Sequence, residues 1–283
     1  MTGSVPHRDV HTRRIRFAYP EGSLDKHYVD GDLVMSHVVA VLSATFPPGE
    51  DFFVRSVRHF SDRITDPELK KQVAGFIGQE VTHGREHRAL NDRLQEMGYP
   101  TRRVDRAAKR GLGLYEKKLP ALSCLAVTAA LEHYTAALAE TLLTDERALA
   151  LLGGSEVRSV LLWHAFEEAE HKSVAFDVYR AAGGSERRRI KTMRFMTFSF
   201  LFAVIMHTVL SMLADRATYN PKRLFKSIAA LRHSPFLSKE VVARVKDYNR
   251  VGFHPEDNDN TELLGRWSAE LFGEQGTLAA NMK

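Results

Sequence analysis

The stretch that decides the fold reads W-H-A-F-E-E-A-E-H-K, from Trp163 to Lys172. In an α-helix, which turns by about 100° per residue, His164, Glu168 and His171 share one face. That face offers nitrogen and oxygen donors side by side. Burying such groups without a compensating charge is unfavourable. We therefore predict that this face binds a metal ion.

Four long helices are predicted from apolar spacing, capping residues and helix breakers. Helix A is expected to break at Pro47-Pro48-Gly49, with Glu50 opening its second piece. Helix B opens with Asp66 as its cap and Pro67 at its first position. The predicted helices span residues 32–60 (A), 67–98 (B), 121–143 (C) and 155–183 (D).

The connections between these helices predict how they are arranged. The joins from A to B and from C to D are short, whereas the basic segment 99–118 between B and C is expected to be a loop with one helical turn. Two helical hairpins joined by one crossover have the connectivity of a ferritin-like four-helix bundle. We predict an all-α fold, with an irregular arm (1–30), a di-metal bundle (31–185) and a packed helical extension (186–283).

Glutamates on all four helices, and histidines on two of them, predict a binuclear centre. Di-iron and di-manganese carboxylate bundles use one Glu from each of two helices and Glu-x-x-His from each of the other two. Two neighbouring cations repel each other, so carboxylates must lie between them. The predicted ligands are Glu80 and Glu168 as bridges, Glu50 and His83 for one metal, Glu132 and His171 for the other, and His164 as a supplementary ligand.

Some assignments around the centre have alternatives. Gln79 and Glu167 are expected to hydrogen-bond the histidine of the opposite helix. His87 is equally compatible with a ligand, a proton relay or a surface histidine. The alternative role of the Glu50 carboxylate is to complement the dipole at the start of a helix. In that case the neighbouring Asp51 would replace Glu50 as the metal ligand. A single Glu-x-x-His is typical of a solvated helix face, but two copies with partner glutamates favour metal binding.

Small residues on helix B, including Gly75 and Gly78, have two interpretations. They leave room for a substrate beside the metals, or they allow neighbouring segments to pack closely. The sequence does not distinguish these alternatives.

Composition bounds the class of protein. The chain has 283 residues and 44% apolar content, enough for a sizeable core. Its net charge of +5, from 40 basic and 35 acidic residues, is too small to indicate nucleic-acid binding. A single cysteine, Cys124, excludes an intrachain disulfide and favours a reducing compartment. Because residues 1–16 are polar and basic, with no apolar signal region, we expect a cytoplasmic protein.

Residues 195–213 form a second unusual stretch, in which 14 of 19 residues are apolar. The length approaches that of a bilayer span. Thr197, Thr208 and Ser211 recur at helical spacing, which favours a buried helix lying across the bundle. Membrane insertion and a peripheral lipid contact are the alternatives, and they would make the protein membrane-associated.

These residues carry family resemblances. The region from Asp32 to Gly184 resembles the ferritin-like di-iron carboxylate superfamily, which includes ribonucleotide reductase small subunits and bacterial multicomponent monooxygenases. Q-E-x-x-H in helix B, E-E-x-E-H-K in helix D and G-F-H-P at Gly252 to Pro255 resemble the bacterial family labelled "predicted metal-dependent hydrolase". His164 is similar to the extra histidine of p-aminobenzoate N-oxygenases, which makes one iron site nitrogen-rich.

The resemblances imply two metal ions, expected to be Fe, with Mn or Zn as alternatives. We predict an oxidase or oxygenase that activates O2 toward a small organic substrate and takes electrons from a donor protein. The alternative is a hydrolase in which a hydroxide that bridges the metals attacks the substrate. A metal store and a non-catalytic bundle on a membrane surface are the other hypotheses. No catalytic residue beyond the ligands is predicted, and a homodimer is compatible with the sequence.

Overall fold

The structure is a computed structural model that describes residues 9–283, so the first eight residues of the predicted arm lie outside the described residues. Regular structure in the described part is helical, apart from one isolated bridge between Ile15 and Met282. The predicted all-α fold is confirmed. The helices are α1 (Leu33–Arg58), α2 (Pro67–Glu96), α3 (Thr101–Lys118), α4 (Ala121–Thr144), α5 (Glu146–Leu151), α6 (Glu156–His171), α7 (Val174–Ala181), α8 (Glu186–Leu213), α9 (Pro221–Leu231), α10 (Lys239–Asp247) and α11 (Thr261–Phe272).

Helix starts follow the signals in the sequence. The Asp32 carboxylate accepts a hydrogen bond from the Met35 amide at the start of α1. Asp66 accepts one from the Glu68 amide, and Pro67 occupies the first position of α2. Each cap satisfies an amide that has no partner within its own helix.

The predicted break at Pro47-Pro48-Gly49 is wrong, because α1 continues through both prolines to Arg58. A proline at position 47 has no amide to donate to the carbonyl of Ser43, one turn earlier. The Asn91 side chain on α2 donates to that carbonyl at 2.9 Å instead. A partner on the neighbouring helix therefore replaces the missing bond and keeps α1 continuous.

The loop predicted for residues 99–118 is also wrong, because α3 fills nearly all of it. Its apolar residues Val104, Leu112 and Tyr115 lie on one helical face and pack toward the rest of the molecule, with Val104 fully buried. Lysine and arginine side chains cover the opposite face. Packing against α1 stabilises a helix that its glycines Gly111 and Gly113 would disfavour in isolation.

Predicted helix D is two helices, since the chain turns at Lys172 and Ser173 between α6 and α7. At this point the buried Lys172 amine donates to Glu140 Oε1 at 3.1 Å and to the Asn258 carbonyl at 2.5 Å. The interruption falls directly after His171, so His164, Glu168 and His171 remain on one uninterrupted helix.

The four helices that carry the predicted ligands pack as the pairs α1 with α2 and α4 with α6. Along these helices the apolar core is divided into two clusters. One contains Phe52, Phe76 and Val174, and the other contains Ala40, Leu90 and Phe166. On α1 and α2 the predicted ligands fall between residues of the two clusters, whereas Glu132 on α4 lies among residues of the first cluster and His164 on α6 among residues of the second. All of them are in the interior of the molecule.

The N-terminal arm packs against α2. A Cβ atom on Gly75 would lie 2.0 Å from the Val10 carbonyl oxygen, and one on Gly78 would lie 1.8 Å from the Thr12 hydroxyl. Both glycines therefore permit close approach of the arm. Of the two interpretations of these positions, close packing is the one the structure shows.

Within residues 9–283, two helices, α4 and α8, are long and apolar enough to cross a membrane by length and composition alone. The two helices differ in their surroundings. In the apolar stretch of α4, 72% is buried inside the protein, whereas in the apolar stretch of α8 only 22% is buried. α8 packs on α1 and α4 with one side only. The predicted burial of residues 195–213 is therefore wrong for the outer side of this helix.

Candidate metal centre

The structure brings all seven predicted ligands together. Glu50 lies on α1, Glu132 on α4, and the other five lie on α2 and α6. Each of them is at most 4% exposed. The residues on α2 and α6 are Glu80, His83, His164, Glu168 and His171.

One group of donors consists of Glu80, Glu132 and His171, whose ligand atoms all lie within 4.8 Å of one another. His171 Nε2 is 3.2 Å from Glu80 Oε1 and 3.3 Å from Glu132 Oε2. Each residue comes from a different helix, so this group requires α2, α4 and α6 to pack together.

A second group consists of Glu50, His83 and His164, whose ligand atoms also lie within 4.8 Å of one another. His164 Nε2 lies 3.8 Å from Glu50 Oε1 and 2.8 Å from Glu168 Oε1. This group is richer in nitrogen than the first, because it contains two imidazoles.

Glu80 and Glu168 lie between the two groups. Glu168 turns Oε1 toward His83, at 3.7 Å, and Oε2 toward His171, at 3.5 Å. Glu80 turns Oε1 toward His171, at 3.2 Å, and Oε2 toward His83, at 3.9 Å. Each of these carboxylates thus presents one oxygen to each group, which is the geometry that bridging ligands need.

The donor atoms fit bound metal. Within residues 9–283, neither oxygen of Glu50, Glu80 or Glu132 has a hydrogen-bond partner. The same is true of His83 Nδ1 and His171 Nε2, which face the carboxylates. Buried polar atoms are rarely left without a partner, and each such atom costs about 1–3 kcal/mol. A cluster of them in one place is explained by ligands that bind them.

The electrostatics of the centre lead to the same conclusion. Burial, and then the nearby charge of Glu168, raise the pKa of Glu50 well above its usual range. Burial and Glu168 also raise the pKa of Glu132 to about 7. Burial acts against ionisation of Glu168 too, but the hydrogen bond with His164 and the nearby His171 imidazole outweigh it and hold the pKa of Glu168 well below its usual range. Bound cations would relieve this competition, because they stabilise the ionised forms.

The outer nitrogens of two candidate ligands are held by the residues that precede the central glutamates. His171 Nδ1 lies 2.8 Å from Gln79 Oε1, and His83 Nε2 lies 2.9 Å from Glu167 Oε2. Both contacts join α2 to α6. Each fixes an imidazole ring so that its other nitrogen points at the carboxylates.

Arg13, on the N-terminal arm, is a part of the centre that the sequence analysis missed. Its guanidinium donates to Glu167 at 3.1 Å and to both oxygens of Glu170, at 2.9 and 2.7 Å. It also lies over the rings of Phe166 and Phe272, at 4.8 and 4.9 Å. Arg13 therefore neutralises two buried glutamates, one of which positions His83. No signal in the sequence sets Arg13 apart from the neighbouring Arg14 and Arg16.

His87 is fully buried, which excludes the surface alternative. Its Nε2 lies 2.7 Å from His164 Nδ1, and its Nδ1 lies 2.8 Å from the Ser43 hydroxyl. Ser43 in turn donates to Asn91 Oδ1 at 2.8 Å. His87 thus contacts a candidate ligand from behind, and it orients the His164 ring toward Glu168.

An apolar cavity of about 380 Å³ reaches the centre at His164 and Glu168. Pockets of this size bind small molecules or parts of larger ones. Its walls come from α1, α3, α4, α6 and α8, and most of the lining is aliphatic or aromatic. Lining residues include Phe46, Leu131, Leu138, Leu161, Phe200 and Val204.

A further cluster, His27, His37 and Asp215, lies outside this centre. Its polar atoms already have partners, since both imidazoles contact Asp215 Oδ2, at 2.9 and 3.2 Å. Arg223 donates to His27 Nδ1 at 2.8 Å, and the Lys26 ammonium lies 3.6 Å from Asp215. These positive charges act against a cation. We interpret the cluster as a hydrogen-bonded tie between the arm, α1 and the end of α8.

The fold and the buried Glu and His donors define an all-α protein with a metal-binding centre. Residues 11–259 match the family model described as "Predicted metal-dependent hydrolase". The chain therefore belongs to this family, as its motifs predicted. Neither the curated proteins nor the solved structures gave a significant match. The resemblances to the ferritin-like superfamily and to p-aminobenzoate N-oxygenases stay predictions.

Proposed function

We propose that this protein is a binuclear metal-dependent hydrolase that cleaves esters of apolar acids. The observation that carries the proposal is the junction of two donor groups with an apolar cavity at His164 and Glu168. The family description supports hydrolysis, and the cavity supports the substrate class.

Two cations would share the donors in this proposal. Glu132 and His171 would help to hold one cation, and Glu50, His83 and His164 would help to hold the other. Glu80 and Glu168, which each present one oxygen to each donor group, would contribute to both. The chemistry that bound divalent cations supply is activation of a water molecule, whose pKa falls toward neutrality.

The protein's own residues do the rest of the work. The cavity walls hold the hydrocarbon part of the ester and exclude bulk water, which leaves the carbonyl group at the polar end beside Glu168. Gln79 and Glu167 fix the two imidazole rings. Hydrolysis then adds one water across the acyl C–O bond and releases a carboxylic acid and an alcohol.

Activation of O2 is a second candidate, favoured by the charge of the donor set. Glu50, Glu80, Glu132 and Glu168 carry four negative charges when ionised, enough to neutralise two divalent ions. A centre of this kind, loaded with Fe(II), can deliver electrons to O2, whereas hydrolysis gains little from that redox capacity. The apolar cavity suits the substrate of either reaction.

One experiment separates the two candidates. Metal-free protein is loaded with Zn(II), Mn(II) or, under anaerobic conditions, Fe(II). Each form is assayed on p-nitrophenyl esters of increasing acyl length, and O2 uptake is followed after air is admitted. We expect ester cleavage that increases with acyl length and disappears in Glu168→Ala. O2 consumption by the Fe(II) form, without ester cleavage by any form, would favour the second candidate.

A cavity variant tests the substrate class separately. Ala203 lines the cavity from α8 and contributes no candidate ligand. Ala203→Trp should lower activity on long acyl chains more than on acetate esters, because it occupies apolar space without touching the donors. Val81→Trp, at an exposed position on α2, is the matched control. Equal losses on all chain lengths would contradict the assignment of the cavity to the acyl chain.

A further inference from the structure

The outer face of α8 is apolar and exposed from Phe195 to the end of the helix. Five of its large apolar side chains, Phe195, Phe198, Phe202, Ile205 and Leu213, are more than half exposed. From Phe195 to Leu213 they extend over about 27 Å at 1.5 Å per residue. Monomeric soluble proteins rarely expose a contiguous apolar area of this kind without a binding role.

The apolar face is too wide for the seam of a paired helix. At about 100° per residue, the exposed apolar residues of α8 cover about 180° of its circumference. A two-helix seam uses a narrower stripe, whereas a helix lying in a lipid surface buries a broad face. The opposite side of α8, including Phe200 and Val204, lines the cavity. Since that side packs on the protein, α8 cannot be surrounded by lipid as a spanning helix would be.

Basic residues continue the outer face of α8 toward its N-terminus. Arg187, Lys191 and Arg194 are exposed and spaced four and three residues apart. They therefore lie on the same side as Phe195 and Phe198. The face changes from cationic in its first turns to apolar in its later ones.

α3 adds a second row of positive charge beside this face. Tyr115 contacts Phe195, with ring centroids 6.2 Å apart, and Lys118 and Lys191 line one shallow groove with Leu114. α3 carries seven lysines and arginines against two acidic residues. Such an excess suits the negative surface of a membrane, which attracts clustered lysines and arginines.

The far end of α8 has the same combination of residue types. α9 exposes Phe225 and Ile228 together with Lys222 and Lys226. Its Leu224 packs in the apolar cluster that holds Met212 of α8. Cationic and apolar side chains therefore occur at both ends of the exposed face.

We propose that the outer face of α8 docks on an anionic lipid surface, with the helix lying parallel to that surface. The apolar side chains would enter the acyl region, and the lysines and arginines of α3, α8 and α9 would contact lipid phosphates. A second copy of the chain is the competing occupant. Its approach would bring two strongly basic α3 helices to one interface, and like charges oppose that association. The proposal does not depend on the reaction at the metal centre.

Vesicle cosedimentation tests the proposal. Full-length protein is mixed with vesicles of phosphatidylcholine alone, or of phosphatidylcholine with phosphatidylglycerol, at low and high salt. We expect binding to the anionic vesicles that weakens as salt increases. Phe198→Asp combined with Ile205→Asp should weaken that binding by about tenfold or more, because both charges would enter the acyl region. Val81→Asp, at an exposed valine on α2, should bind as the wild type does.

A second variant keeps the test independent of folding defects. Lys118→Glu, in the groove between α3 and α8, leaves α8 unchanged and should weaken binding to anionic vesicles. Analytical ultracentrifugation of the same proteins measures self-association. Absence of vesicle binding by the wild type would overturn the proposal, and so would equal binding to neutral vesicles. A wild-type dimer that the α8 variant dissociates, without vesicle binding, would assign the face to a second copy.

Discussion

Replacing Arg13 by alanine tests whether the N-terminal arm is part of the metal centre. The Arg13 side chain is 6% exposed, and it donates to Glu167 and Glu170 at 2.7–3.1 Å. Its removal leaves two buried carboxylates without their cation. Breaking a buried ion pair from one side costs about 3–5 kcal/mol, far more than loss of an exposed pair. We therefore expect Arg13→Ala to lower the free energy of unfolding by about 3–5 kcal/mol.

Urea unfolding in the presence of a chelator measures this change without a contribution from bound metal. Arg14→Ala is the matched control, because Arg14 is exposed and should change stability by less than about 0.5 kcal/mol. Adding Glu170→Gln to Arg13→Ala should recover part of the loss, since it removes one of the stranded charges.

Metal affinity gives a second measurement on the same variant. Glu167 loses its cation and no longer holds His83 firmly, so Arg13→Ala should bind metal about tenfold to a hundredfold more weakly. A loss of stability below about 1 kcal/mol, with unchanged metal affinity, would refute the role assigned to Arg13.

Three further predictions follow from the geometry. Elemental analysis should show that Glu80→Ala and Glu168→Ala each lose both metals, whereas Asp51→Ala, at an exposed acid beside Glu50, should keep them. Two equivalents of bound metal in either glutamate variant would disprove the bridging role. His164→Ala should retain metal but lose turnover, and wild-type activity in this variant would make His164 structural. Although burial acts against ionisation of Asp215, the Ala217 amide and two histidines lower its pKa to about 2, below the usual range of an aspartate. Its contribution to stability should be present above about pH 4 and fade as pH falls toward 2, so Asp215→Asn should lower the urea midpoint near neutrality and much less in acid.

Contacts within one helix could be predicted from the sequence. His164, Glu168 and His171 share a face because of helical periodicity alone, and the structure places them side by side. The Asp66-Pro67 signal likewise gave the start of α2. These features depend on residues a few positions apart, where backbone geometry decides the outcome.

Features that depend on distant partners could not be predicted in the same way. Arg13 is one of several arginines in the arm, and only its contacts with Glu167 and Glu170 distinguish it. α3 was missed because its glycines and charges indicate a loop, while Val104 and Leu112 are held by packing on other helices. The exposure of α8 was missed for the same reason, since its composition fits burial and solvent contact is a property of the whole fold.

The prolines in α1 also set the register of α1 against α2. Without an amide at Pro47, the Ser43 carbonyl depends on Asn91, which lies two turns beyond His83 on α2. Sliding α2 by one turn, about 5.4 Å, would leave that carbonyl unpaired and would also move His83 away from Glu50. Pro47 therefore helps to align the two helices. When Asn91 donates to the Ser43 carbonyl, α1 and α2 are in the register that places Glu50 near His83.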